Sequence, residues 1–169
     1  GNDFAAGLEH AERAAQVTAD PDVLGPLRLL QAEAHRWRGE LARAEARGEE
    51  AAGLTEAGSA LWFRAVAEIV AAAGRLGRYE DVALWTERAL AAPARGGASG
   101  AADAKVLFLS RAAVHLGYAH REDLEGKLLA EMDALLGGGD DGGSVGHRSR
   151  HAGVRPGGDL RTAARVHQI

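Results

Sequence analysis

Two histidines four residues apart, His147 and His151 in the stretch HRSRH, have a spacing that can place both imidazoles on one helix face, as some zinc sites require. The surrounding residues oppose that use. Glycines flank the stretch, no glutamate or cysteine completes a ligand set, and arginines crowd the same segment. His35, His115 and His120 fall in or beside helical stretches and are expected at the surface or half buried. The adjacent carboxylates Glu49-Glu50, Glu80-Asp81 and Glu122-Asp123 diverge on a helix, so they do not form acid–base pairs. Glu80-Asp81 and Glu122-Asp123 are expected in first turns, where negative charge complements the helix dipole. GGGDDGG and RGGASG lack the Lys-Ser/Thr pair of a phosphate-binding loop. Ser59, Ser99 and Ser110 lack the context of an activated nucleophile. The expectation is a chain with no catalytic constellation, metal site or cofactor.

Composition narrows the classes further. Alanine, glycine and leucine dominate and aromatic residues make up only 5% of the 169 residues. Alanine and leucine lose little side-chain freedom in a helix, which predicts an all-α fold. A net charge of −4 gives no general attraction to nucleic acid or anionic lipid. Residues 1–136 carry 15 basic and 21 acidic side chains, residues 137–169 five and three. The basic end lacks the aromatic interleaving of a single-strand binder. There is no cysteine, no apolar run long enough to span a membrane and no signal peptide, so a cytoplasmic protein is expected. The first residue is not methionine, which fits a piece of a longer chain.

Helical periodicity organises residues 1–136. Leu27, Leu30 and Ala34, then Leu41, Ala44, Ala51 and Leu54, mark one sticky face in each of two helices, about 25–37 and 40–53, with Pro26 in a first turn. The layout returns as helices near 59–76 and 79–91, with Ser59 as N-cap and Pro93 as stop. It returns again near 101–116 and 121–136. The chain start, with Asp3 as cap and Phe4, Leu8, Ala11 and Ala15 as a face, reads as the second helix of a hairpin whose first is missing. Breaks at Gly1, Gly39, Gly77 and Gly117 are separated by 38, 38 and 40 residues. One helical hairpin per such period predicts an α-solenoid of about seven helices. From residue 137 to 158 the chain holds nine glycines and almost no large apolar residue, so 137–169 is expected to be a disordered tail.

The stretch LGRYEDVALWTERALAAP resembles the second helix of a tetratricopeptide repeat through Gly77, Tyr79, Val82, Ala89 and Pro93. Gly39, Leu41, Ala44 and Ala51 repeat the pattern, and Phe4, Gly7 and Ala14 do so at the start. Ile69 and Ala73 hold first-helix places, although the family's Trp-Leu-Gly-Tyr spacing is absent. AEAHRWRGELARAE and GSALWFRAVAEIVAAAGRLGR are similar to the degenerate arrays that follow kinase or ATPase domains in bacterial signalling proteins.

That resemblance implies a right-handed curve whose inner surface is lined by first helices. In the register of the middle repeat, the groove residues would be Arg64, Glu68 and Arg75. Equivalent offsets add Glu33, Arg36 and Trp37 before them, and Arg111 and His115 after. Their mixed charges suit a peptide of mixed polarity. Trp37, Trp62 and Trp85 are expected to serve packing between repeats, with at least one of Trp62 and Phe63 partly exposed. The functional expectation is a non-catalytic scaffold for a protein or peptide partner. The alternative is a regulatory or sensor segment acting on an attached kinase or ATPase. Self-association through the unpaired N-terminal helix is the further partner expected.

Overall fold

The structure, a computed structural model, describes residues 3–95 and 100–137, with side chains from residue 6 onward. Among the described residues there are seven α-helices: α1 Asp3–Val17, α2 Pro21–Trp37, α3 Leu41–Leu54, α4 Ala60–Arg75, α5 Tyr79–Ala91, α6 Gly100–Leu116 and α7 Glu122–Gly137. All seven belong to one compact unit. Packing is mostly sequential, α1 on α2, α2 on α3, α3 on α4, α4 on α5 and α6 on α7. Contacts between α2 and α4, α4 and α6, and α5 and α7 join alternate helices. No helix among the described residues is long and apolar enough to cross a membrane. The side chains of Asp3 and Phe4, and the expectations for 138–169 including His147 and His151, lie outside the described residues.

The centre of the unit is α4. It buries eleven of its sixteen residues, from Trp62 to Gly74, because α2, α3, α5 and α6 all pack against it. A helix apolar on nearly every side is stable only when enclosed in this way. Phe63, Val66, Ile69 and Val70 meet Val82 of α5, Phe108, Leu109 and Leu116 of α6, and Leu124 and Leu128 of α7 in one hydrophobic cluster. Enclosure corrects one expectation: Trp62 and Phe63 are both buried, packed edge to face with ring centroids 5.2 Å apart.

Local chemistry explains the helix ends. Ser59 caps α4, its hydroxyl accepting from the Trp62 N–H at 3.2 Å. Gly39 and Gly77 close α2 and α4 with φ of 76° and 74°, the left-handed conformation that glycine adopts without a Cβ penalty. At the third break the left-handed residue is His120, not Gly117, so the turn extends to Arg121. The start of α2 also differs from expectation. Asp20 caps it by accepting from the Asp22 N–H, Pro21 takes the first turn, and Pro26 lies inside the helix. The bond Pro26 cannot donate would go to the Asp22 carbonyl, at the exposed end of the helix.

The α2 face is rotated from its predicted position. Ala34 is buried as expected, but Leu29 and Ala32 are buried and Leu30 is exposed, because α1, α3 and α4 all pack on α2 and draw in Gly25, Gln31 and His35 as well. His35 is therefore buried, contrary to expectation, with its Nδ1 2.7 Å from Glu40. On α1, Leu8 and Ala11 are buried as expected.

Candidate functional site

The eight residues singled out for a groove all stand on α2, α4 and α6, the three helices that pack side by side through α4. Glu68, in the middle of α4, is only 2% exposed. Its Oε2 accepts from Arg36 Nε of α2 at 2.5 Å and its Oε1 from an Arg111 terminal nitrogen of α6 at 2.5 Å. One carboxylate thus spans three helices. A turn earlier, Arg64 donates to Glu33 at 2.7 Å, an exposed pair that again joins α4 to α2. Arg36 also lies over the Trp37 ring, 4.9 Å from its centroid.

At the C-terminal end of α4 the His115 side chain of α6 comes close to the α4 backbone. A Cβ on Gly74 would overlap the His115 ring, so glycine is what lets that imidazole sit against α4. Partial burial there holds the His115 pKa below its ordinary value, and the charge of Arg75 lowers it further. Arg75 itself is exposed.

The structure thus brings the eight residues together in three groups: Glu33 with Arg64, Arg36 with Trp37, Glu68 and Arg111, and Arg75 with His115. They do not play equal parts. Glu68 is buried between helices and already engaged, so it holds the surface together. Trp37, 66% exposed, and Arg75 present their side chains to solvent. Among the described residues, no group of three or more His, Asp or Glu is placed to hold a metal ion.

A hollow between α3, α4 and α5 went unpredicted. Trp62, Trp85, Arg88, Glu49 and small residues of α3 and α5 line a groove of about 510 Å³. Arg88 lies over the Trp85 ring at 4.6 Å. The spacing of Trp85 and Arg88, three apart on one helix, is the signal that could have pointed to it.

No protein-family model matches the chain, and no curated protein and no solved structure matches it.

Proposed function

We propose that residues 1–136 form a tetratricopeptide-like array, an α-solenoid, in which the α2–α4–α6 face binds a partner peptide. In this reading the chain is a non-catalytic scaffold and a piece of a larger bacterial signalling protein. The observation that carries it is the Glu68 bridge. By fixing α2, α4 and α6 relative to one another, it holds Trp37, Arg64 and Arg75 as a preformed surface, which lowers the ordering cost of binding. Contacts between the first helices of successive hairpins, glycine-closed turns at a 38-residue spacing and the alternation of hairpins support the repeat architecture. The peptide that suits this face carries a carboxylate for Arg75 and an apolar or cationic side chain for Trp37.

The test is recovery of cross-linked partners by the full chain and by a Trp37→Ala/Arg75→Ala double variant. Both side chains are exposed, and the thermal midpoint of the variant is measured beside that of the parent. Loss of the partner peptide at unchanged midpoint is the expected result. Equal recovery, or cross-links confined to the Trp62–Trp85 groove, would overturn the assignment.

A further inference from the structure

A polar cleft separates α1 from the α2–α3 hairpin, on residues that the groove reading does not use. It consists of two hollows that share Glu12 and Arg47. The larger, about 470 Å³, is bordered by His35, Arg43 and Glu50, the smaller, about 210 Å³, by Arg28 and Gln31. The walls are rich in donors. Arg28 and Arg47 share one carboxylate, Glu50, at 2.7 Å each. Arg43, on the wall of the larger hollow, lies 3.4 Å from Glu40, which also holds His35. Each guanidinium has five N–H donors and no acceptor, so Glu50 alone cannot satisfy both Arg28 and Arg47.

Gln31 supplies the independent observation. Its side chain is fully buried, and its Oε1 accepts from an Arg28 terminal nitrogen at 2.8 Å. That bond fixes which way the amide is turned. The Nε2 group, with two N–H donors, is then buried without a protein acceptor, in a residue that borders the smaller hollow. An unpaired buried donor is costly, and its presence calls for a partner.

We propose that this cleft binds a small oxyanion, the carboxylate or phosphate group of a free small molecule, with Gln31 Nε2, Arg28 and Arg47 as its donors. The inference does not depend on the peptide groove, which shares none of these residues. Glu12, which borders both hollows from α1, and Glu50, which borders the larger, oppose an anion and limit the affinity.

Calorimetric titration of the full chain with sodium phosphate and, separately, with glutarate tests the proposal at constant ionic strength. Saturable binding of either probe supports it: phosphate alone indicates a phosphoryl ligand, glutarate alone a carboxylate. Gln31→Leu, which keeps the volume and removes the donor, and Arg47→Gln should each weaken binding by at least about tenfold. Glu12→Gln should tighten it. Absence of saturable binding up to about 10 mM of either probe would overturn the proposal. So would unchanged affinity in Arg47→Gln, a half-exposed position whose replacement leaves the fold intact. Weaker binding by Glu12→Gln would also overturn it, since Glu12 would then help to hold the ligand rather than oppose it.

Discussion

Glu68 receives Arg36 of α2 on one carboxylate oxygen and Arg111 of α6 on the other, each at 2.5 Å. A buried charge shared in this way is expensive to disturb, because removing the carboxylate leaves two partly buried guanidinium groups without their partner. Glu68→Ala should cost about 3–5 kcal/mol in urea unfolding. Glu33→Ala, which breaks the exposed pair with Arg64, should cost no more than about 1 kcal/mol. Similar losses in the two variants would show that Glu68 is not the keystone described.

Gly74 and His115 form a second coupled pair. Gly74→Ala puts a methyl group where the imidazole sits and should destabilise by about 1–3 kcal/mol. In a His115→Ala background the same change should be neutral or stabilise by up to about 1 kcal/mol, since alanine favours the helix over glycine. A double-mutant cycle reads the coupling directly, and additive effects would contradict the close approach.

His115 also gives the unit a pH dependence of known sign. Its pKa in the folded chain is below the ordinary 6.5, so the unfolded chain takes up the proton first. Its contribution to stability is fully kept above the unfolded value and is lost as pH falls through 6.5 towards the folded pKa. Melts of the parent and of His115→Gln between about pH 7.5 and 5 should show a shallower decline for the variant. Parallel curves would exclude His115 as a source.

Lys105 is another buried charge, 2% exposed on α6. Its ammonium donates to Glu131 of α7 at 2.5 Å and to the Ala92 carbonyl at 3.1 Å, and lies 5.5 Å from the Phe63 ring centroid. Glu131→Ala leaves that charge without a counter-ion, whereas Lys105→Met removes the charge and keeps the stem volume. Glu131→Ala should therefore be the more destabilising in urea unfolding by about 1 kcal/mol or more. The reverse order would mean that the ammonium is solvated rather than buried.

Periodicity and punctuation made the helices legible. The interval Tyr79–Ala91 was expected and found without a shift, and Ser59, Gly39 and Gly77 act where their chemistry places them. What one helix shows to several neighbours was not legible. Leu30 and Leu29 fit similar periodic rows, and only the joint packing of α1, α3 and α4 on α2 decides between them. The register that placed eight residues on three helices identified which of them lie near each other. It could not distinguish Glu68, buried and engaged, from Arg75, exposed, because pairing with Arg36 and Arg111 is a long-range property. Gln31 and Lys105 were invisible for the same reason: a polar residue in a helical pattern reads as solvent-facing until its neighbours are known.

The enclosure of α4 also bears on how the chain comes apart. In an array whose units touch only their neighbours, an end can fray while the rest stands. The helix α4 belongs to the middle hairpin and rests on α2 and α3 before it, on its own partner α5 and on α6 after it, so losing either flank would expose Phe63, Ile69 or Val70. Opening of α4 is therefore tied to the collapse of the whole unit. Amide protons of α4 should exchange at the rate of global unfolding, while those of α1, which packs on α2 alone among the helices, exchange through a smaller and earlier event.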